Sequence, residues 1–244
     1  MTLERLNTGI IGLDEKMQGG LFKGSVTLVT GKAGTGKTSV AASFLHVGAK
    51  NNERGIYITS EERIVDIKND VQAMFGWDLD SLEKKGLIKF MSIKPTLPSK
   101  KVSGEDLAMY VRMYIIDLID KIDTAVKEFR SQRLVIDSLS LIEMFIEDKY
   151  LCRVAMIELL DSLRELGVTS IVTGTISETS EELSGGGIVE YLVDGIIKLD
   201  FVPVAEEFKR TLNIRKMRRT DHSIFIHPFE VTKDGLKIIE VKPD

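Results

Sequence analysis

The stretch that decides the fold is "SVTLVTGKAGTGKT", residues 25–38, in which a short β-rich apolar run leads into a glycine-rich segment. Residues 31–38 match the pattern G-x-x-x-x-G-K-[ST], and helix-compatible sequence follows from Gly36. The pattern is specific for phosphate binding when a strand precedes it and a helix follows it. The stretch therefore predicts a strand, a phosphate-binding loop and a helix, in that order.

Each part of this loop has a chemical role. Glycines allow the backbone N–H groups to curl around an anion, and the N-terminus of the following helix adds partial positive charge. The Lys37 ammonium can reach the β- and γ-phosphates of a nucleotide, and the Thr38 hydroxyl can ligate Mg²⁺. The residues predicted to contact the nucleotide are Gly31, Lys32, Ala33, Gly34, Thr35, Gly36, Lys37, Thr38 and Ser39.

Strand and helix patterns alternate along the next part of the chain. Short apolar runs at 55–60, 133–137 and 168–174 predict strands. Apolar residues spaced three or four apart over 107–129 predict a helix, and 149–166 predict another. Strands joined by helices imply crossover connections and a parallel sheet with helices on both faces.

The pattern changes after Gly195, where turns rather than helices separate the strands. In "FIHPFEVTKDGLKIIEV", the pair Asp234-Gly235 marks a β-hairpin. No linker rich in proline, glycine or serine interrupts the chain. We therefore predict one α/β domain over residues 1–244, with a mostly parallel twisted sheet, helices on both faces and an antiparallel C-terminal hairpin flank.

Asp137 closes the strand predicted over 133–137, about a hundred residues beyond the phosphate loop. Taken alone, an aspartate at the end of a strand is most often a helix cap or a turn residue. Beside a phosphate loop, a carboxylate at a strand tip instead holds the Mg²⁺ shell. We therefore predict that Thr38 and Asp137 form the metal site, with Ser138 supporting the water shell.

Glu61 and Glu62, in "TSEER", follow the second predicted strand. In one interpretation Ser60 is the N-cap of the next helix and both glutamates stabilise its first turn. In the other, Glu61 shares a crevice with Lys37 and Asp137, because ligands bind at the carboxyl ends of parallel strands. We favour the second interpretation. It predicts that Glu61 activates the attacking water, with Glu62 beside it and Lys37 on the phosphates.

The composition limits the classes of function. The chain has 244 residues, 43% of them hydrophobic, and a net charge of −4, which excludes a global attraction to nucleic-acid phosphates. No apolar run approaches the ~18 residues that span a membrane, and the first residues carry no secretory signal. Cys152 is the only cysteine, which excludes an internal disulfide. We therefore expect a cytoplasmic protein that does not bind a membrane.

Several stretches together resemble the KaiC-like branch of the RecA-type ATPases. They are "LNTGIIGLDEKMQGGL", the phosphate loop, the glutamate pair, "GWDLDSLEKKGLI", "LVIDSLS", "GIVEYLVDGIIKL" and "KMRRTDH". The resemblance runs nearly end to end, although the clock protein of this group carries two such domains in tandem. It implies a RecA-like core, ATP with Mg²⁺ as cofactors, and usually a hexameric ring with nucleotide between the subunits.

Departures from the family's pattern narrow the implied function. The pair "EY" at 190–191 stands where the clock protein's second domain has a Ser–Thr phosphoacceptor pair, which argues against autokinase chemistry. RadA-type recombinases usually have a glutamine where this chain reads "TISET". The loop over 175–187 contains Glu178, Glu181 and Glu182, which would repel DNA phosphates. DNA is therefore an allowed but not a favoured partner, and the sequence identifies no protein partner.

The stretch "LNIRKMRRTDH" near the C-terminus carries five cationic side chains. In a regular strand Lys216 and Arg218 would share one face, and Arg215, Met217 and Arg219 would share the other. Two explanations are a DNA contact and an edge strand whose charges prevent aggregation.

The resemblance implies a third explanation for this run. Lys216, Arg218 and His222 match, at the family's spacing, residues that reach across the subunit interface to the neighbour's ATP. A cation supplied by a neighbouring subunit stabilises charge on the transferring phosphoryl group. We favour this reading, in which Arg218 is catalytic and all three residues contact nucleotide in a homo-oligomer.

Two functions from different classes remain open. The first is a Mg²⁺-dependent ring ATPase that hydrolyses ATP slowly and acts as a molecular switch or motor. The second is an ATP-gated accessory, similar to recombinase paralogues, that binds DNA or repair proteins with little turnover. Strong DNA binding would favour the second, and Lys94, Lys100 and Lys101 would then be candidate contacts.

Overall fold

The structure is a computed structural model that describes residues 4–93, 105–146, 148–176, 187–204 and 206–240. The strands in these ranges are β1 (Arg5–Leu6), β2 (Leu21–Phe22), β3 (Val26–Gly31), β4 (Gly55–Thr59), β5 (Ile88–Ser92), β6 (Arg133–Asp137), β7 (Thr169–Thr175), β8 (Gly195–Val204), β9 (Glu207–Met217), β10 (His227–Thr232) and β11 (Gly235–Ile238). The helices are α1 (Lys37–Lys50), α2 (Ile64–Phe75), α3 (Leu79–Lys84), α4 (Glu105–Phe129), α5 (Ser140–Phe145), α6 (Lys149–Glu165) and α7 (Val189–Leu192).

Nine of these strands form one sheet in the order β11-β10-β9-β8-β3-β7-β6-β4-β5. The strands from β8 to β5 in this order are parallel, and β9, β10 and β11 add antiparallel pairs at one side. A separate antiparallel pair, β1–β2, precedes them in the chain. The predicted fold class, a mostly parallel sheet with an antiparallel C-terminal flank, is confirmed.

Side chains alternate between the two faces of the sheet, as the two-residue period of a strand requires. On β4, Tyr57 packs in a core with α1 and α2, whereas Ile56 and Ile58 pack in a second core with α4 and α6. On β6, Val135 lies on the α1 face. Asp137, two residues further along β6, therefore faces α1, the helix that begins at the phosphate loop.

The longest helix, α4, confirms the helix predicted over 107–129. Val111, Ile115, Leu118 and Ile122 are buried along one of its sides, at spacings of three and four residues. Charged residues occupy much of the opposite side, as in any amphipathic surface helix. None of the helices in the described ranges is both long enough and apolar enough to cross a membrane.

The sequence patterns missed several short elements. The strand β5 reads "IKFMS" and pairs only with β4 in the described sheet, so its burial is partial and its apolar signal is weak. The helices α3, α5 and α7 span only four to six residues, too few for a clear helical period. These elements pack on neighbouring parts of the fold, α3 on β5, α5 on β7 and α7 on α6.

Candidate active site

The phosphate loop connects the end of β3 to the start of α1, as predicted. A Cβ atom at Gly31 would lie 2.5 Å from the Leu199 carbonyl oxygen of β8, so only glycine fits there. Gly34 and Gly36 have φ values of 75° and 107°, which side chains rarely allow. Gly36 is the N-cap of α1, and no side chain caps this helix. The first amides of α1 are thus directed at the loop, where an anion would lie.

Lys37 is the first residue of α1, and its ammonium lies inside the loop. It donates to the carbonyl oxygens of Gly31 and Lys32, both at 2.9 Å. Burial lowers the pKa of Lys37, and the carboxylates of Asp137 and Glu61 oppose this shift. The cation is therefore pre-positioned in the concavity by backbone oxygens and by two nearby acids.

Asp137 is held by hydroxyl groups from three different elements. Its Oδ2 accepts from Thr38 Oγ1 on α1 at 2.9 Å and from the Tyr57 hydroxyl on β4 at 2.5 Å. Its Oδ1 accepts from Thr173 Oγ1 on β7 at 2.5 Å. Asp137 caps no helix through these bonds, so the alternative of a helix cap does not apply. The arrangement fixes both carboxylate oxygens and places Oδ2 against Thr38, the last residue of the phosphate-loop motif.

The sequence patterns did not reveal Tyr57 and Thr173 as site residues. Tyr57 pairs with Val135 across β4 and β6, and it is 1% exposed, so it resembles an ordinary core aromatic. Burial and the nearby Asp137 carboxylate raise its pKa well above the ordinary value, which keeps the hydroxyl protonated as a donor. The available signal was a polar aromatic in an otherwise apolar strand, "GIYIT", next to the strand that ends in Asp137.

The two glutamates lie before α2 rather than in its first turn. The helix begins at Ile64 with Arg63 as its N-cap residue. Ser60 is not an N-cap, because its hydroxyl donates to the Ser138 carbonyl oxygen at 2.8 Å and accepts from the Ser138 N–H at 3.0 Å. The interpretation in which Ser60 caps the helix is therefore wrong.

Glu61 is instead directed towards the end of β6. The Ser138 hydroxyl donates to Glu61 Oε1 at 2.6 Å. Burial, together with Asp137 and the acids Asp70, Glu61 and Asp66, raises the pKa of the neighbouring Glu62 carboxyl. Negative charge thus accumulates at this edge of the sheet, opposite the Lys37 ammonium.

The phosphate loop, the start of α1, the glutamate pair and the ends of β6 and β7 line one cavity of about 450 Å³. Its lining comprises Ala33, Gly34, Gly36, Lys37, Thr38, Ser39, Glu61, Glu62, Asp137, Ser138 and Thr175. A larger cavity of about 680 Å³ lies between α4 and α6, but no residue of the phosphate loop lines it. The carboxyl ends of β3, β4 and β6 therefore bring together the predicted base, the predicted metal residues and most of the predicted phosphate contacts.

Lys216 and Arg218 lie at the opposite edge of the sheet. Met217 pairs with Gly195, and Gly195 pairs with Thr27, at the amino end of β3. Gly31 is four residues further along β3, or roughly 13 Å at 3.3 Å per residue. One subunit therefore does not bring its own Lys216 or Arg218 to its own phosphate loop.

The prediction that Arg215 and Met217 lie on one face of the strand is wrong. A register shift between Ile196 and Ile197 leaves Arg215 as an extra residue, because Ile197 pairs with Ile214 and Ile196 with Lys216. The bulge resets the alternation, so Met217 is buried while Arg215 is exposed.

The bulge also gives the basic side chains separate environments. The Lys216 ammonium donates to the carbonyl oxygens of Val193 (2.6 Å) and Glu190 (3.1 Å) at the end of α7. Burial and the Arg218 charge lower the pKa of Lys216. Arg218 is exposed, and His222 Nδ1 lies 3.0 Å from the Ser223 carbonyl oxygen. Arg218 is thus available to a ligand outside its own subunit.

Some predicted features fall outside the described residues. These are the loop acids Glu178, Glu181 and Glu182 and the lysines Lys94, Lys100 and Lys101.

The fold and the cavity together define a nucleotide-binding protein of the RecA-like class. A family model described as "ATPase: KaiC" matches residues 6–243, and the chain belongs to this family. A UPF0273 protein of Thermotoga maritima is 36% identical over 238 residues, which cover 97% of this chain and 96% of the relative. The circadian clock protein KaiC3 of Synechocystis is 35% identical over 240 residues, but this chain covers only 46% of it.

A solved structure gives the same classification. The KaiC-like protein of the hyperthermophilic archaeon Pyrococcus horikoshii superposes with a TM-score of 0.84 at 34% sequence identity. The match covers 98% of this chain and 100% of the solved one. Membership of the family implies that the nucleotide is ATP.

Proposed function

We propose that this protein binds ATP with Mg²⁺ and hydrolyses it slowly in a ring of identical subunits, as a molecular switch or motor. The observation that carries the proposal is the convergence of Lys37, Thr38, Glu61 and Asp137 on one cavity at the carboxyl edge of the sheet. Each of these residues has the chemistry that one step of phosphoryl transfer to water requires.

The loop and α1 supply the phosphate site. The β- and γ-phosphates of ATP compete with the carbonyl oxygens of Gly31 and Lys32 for the Lys37 ammonium. The uncapped first turn of α1 adds N–H donors and partial positive charge.

Thr38 and Asp137 have the donor atoms that suit Mg²⁺. Their oxygens are 2.9 Å apart, and Mg²⁺ prefers oxygen ligands, usually one or two from protein with the rest from phosphates and water. Bound Mg²⁺ neutralises charge that develops on the β- and γ-oxygens. The hydroxyls of Tyr57 and Thr173 keep the Asp137 carboxylate in the orientation that this role needs.

Glu61 is the proposed general base. Its carboxylate lies on the cavity wall and is oriented by the Ser138 hydroxyl, so one oxygen remains to accept a proton from water. Glu62 lies beside it, and burial together with the neighbouring carboxylates raises the pKa of Glu62.

Arg218, Lys216 and His222 complete the site from a neighbouring subunit in this proposal. The position of Lys216 and Arg218 at the amino edge, away from their own phosphate loop, supports a head-to-tail arrangement of subunits. Such heterologous contacts generate closed rings when the rotation between subunits closes. Family resemblance favours six subunits.

The experiment is ATP turnover measured with and without Mg²⁺ and single-stranded DNA, alongside the mass of the assembly. Lys37→Ala should abolish turnover and weaken nucleotide binding, while Lys50→Ala, at the far end of the same helix, should leave both unchanged. Wild-type turnover by Lys37→Ala would overturn the proposal. Nanomolar DNA binding at ~150 mM salt with little turnover would favour the ATP-gated accessory instead.

A further inference from the structure

Three consecutive apolar side chains protrude from the loop that follows the basic run. Ile224, Phe225 and Ile226 are 83%, 70% and 60% exposed, and we refer to them as the apolar knob. Single exposed apolar residues are common on soluble proteins, whereas contiguous large ones mark an interaction surface.

Hydrogen bonds hold the knob in one orientation. The Ser223 N–H donates to the Lys16 carbonyl oxygen at 2.8 Å, which ties the loop to the N-terminal segment. The Ser223 hydroxyl lies 2.8 Å from His227 Nε2 and accepts from the Phe225 N–H at 3.3 Å. A pre-ordered loop loses little conformational freedom when a partner covers it, so it is suited to binding.

We propose that the apolar knob docks on the phosphate-loop edge of a second copy of this chain and anchors the two subunits head to tail. This inference rests on the proposed function, because the same loop carries Arg218 and His222 towards the neighbour's nucleotide. It adds the contact that supplies affinity, as distinct from the cations that act on phosphate.

Charge complementarity favours a second copy as the occupant. The loop that ends in the knob carries the exposed cations Arg218 and Arg219 and one exposed acid, Asp221, so its partner must tolerate or prefer negative charge. The phosphate-loop edge of this chain carries exposed Glu61 and Glu62. Burial, together with the acids gathered there, raises the pKa of Glu62. A basic loop and an acidic phosphate-loop edge on one molecule favour a head-to-tail contact over a head-to-head contact.

The phosphate-loop edge also offers an apolar contact. Val65, in the first turn of α2 just after the glutamate pair, is 54% exposed. Met144, on α5 beyond the end of β6, is 77% exposed. An apolar centre bordered by charges is the usual composition of a subunit contact.

The first test replaces Phe225 by serine and measures the assembly mass with ATP and Mg²⁺ across protein concentrations. Because Phe225 is exposed, the subunit should fold and bind ATP normally. The concentration for half-assembly should rise roughly thirtyfold, the effect of losing one aromatic hot spot. The matched control is Met113→Ser, which removes a side chain of 63% exposure on α4 and should assemble as wild type does.

The second test mixes Phe225→Ser with Lys37→Ala. In a head-to-tail contact, the phosphate loop of the first variant meets the intact knob and Arg218 of the second, so turnover should return on mixing. A knob-to-knob contact predicts no return, because every mixed pair then contains one defective knob.

The outcomes separate this inference from the proposed function. If Phe225→Ser assembles at the same protein concentration as wild type, the proposed role of the knob in assembly is wrong. A wild-type chain that hydrolyses ATP but forms no assembly overturns both the knob and the ring, and leaves only ATP hydrolysis in place. Knob-dependent assembly of a wild-type chain that does not hydrolyse ATP supports the knob and overturns the proposed function alone.

Discussion

The two edges of the central sheet present functional groups in different ways. At the carboxyl edge, the ends of β3, β4 and β6 position Lys37, Glu61 and Asp137 around one cavity, and hydrogen bonds within the subunit orient all three. At the amino edge, Arg218 is exposed, with its own phosphate loop roughly 13 Å further along the strand direction. Contacts within the subunit organise the carboxyl edge, whereas Arg218 at the amino edge needs a surface that its own subunit does not provide.

The largest expected effect tests whether the amino edge acts on a neighbour. Arg218→Ala should lower turnover by roughly 10³–10⁵-fold, as loss of an arginine finger does, while the subunit stays folded. The matched control is Arg215→Ala, since Arg215 is the exposed extra residue of the bulge. Steady-state turnover and melting temperature measure the two effects.

Mixing two inactive variants then tests whether the two edges form one site across subunits. Arg218→Ala has an intact carboxyl edge, and Lys37→Ala has an intact amino edge, so some contacts in mixed assemblies join two intact halves. Part of the activity should return. Mixed assemblies that form and remain inactive would contradict a shared site and would favour edge protection or DNA binding by the basic run.

A smaller effect is expected within the carboxyl edge. Glu61→Gln keeps the hydrogen bond from Ser138 but removes the base, so kcat should fall at least about tenfold while ATP affinity stays constant. Rapid-quench turnover and equilibrium ATP binding separate the two quantities. If only the melting temperature changes, Glu61 has a structural role at the start of α2.

The hydroxyl groups that orient Asp137 should affect the Mg²⁺ dependence of turnover more than its maximal rate. Tyr57→Phe keeps the ring that packs on the sheet and removes one of the hydroxyls that orient the carboxylate. Hydrogen bonds to charged groups contribute about 1.5–3 kcal/mol, so the Mg²⁺ concentration for half-maximal turnover should rise roughly tenfold. Tyr150→Phe, at an exposed tyrosine, is the control. An unchanged Mg²⁺ dependence would limit Tyr57 to core packing.

The smallest expected effect concerns the charge gathered at the carboxyl edge. The folded state raises the pKa of Glu62 from 4.5, so it holds this proton more tightly than the unfolded chain does. The resulting stability is present below pH 4.5 and is lost as pH rises through the raised pKa. Glu62→Gln should therefore raise the melting temperature at pH 7 and have little effect below pH 4.5.

Asp80 provides a control of opposite sign. Hydrogen bonding to Lys68 lowers the pKa of Asp80 below 3.8, so its contribution to stability is present above that value and is lost in acid. Asp80→Asn should lower the melting temperature slightly at pH 7. An equal response of the two variants would mean that the acidic edge is not electrostatically strained.

Residues whose role depends on their neighbours in the sequence could be predicted, whereas residues whose role depends on strand pairing could not. Lys37 and Thr38 belong to a short motif whose strand and helix neighbours were readable from periodicity, and both lie at the predicted cavity. Tyr57 and Thr173 could not be identified, because each becomes relevant only when parallel pairing places β4 and β7 on either side of β6. The bulge in β9 was also hidden, since pairing with β8 creates it.

The sequence by itself determined the class of the protein. The loop "GKAGTGKT", the acid that ends "RLVID", and the alternation of strand and helix patterns were sufficient for a parallel α/β sheet with a phosphate site, because each is a local pattern of spacing and polarity. Tertiary structure alone decided which hydroxyls orient Asp137 and which edge carries Arg218. Both depend on strand order and register, which arise from contacts between residues far apart in the chain.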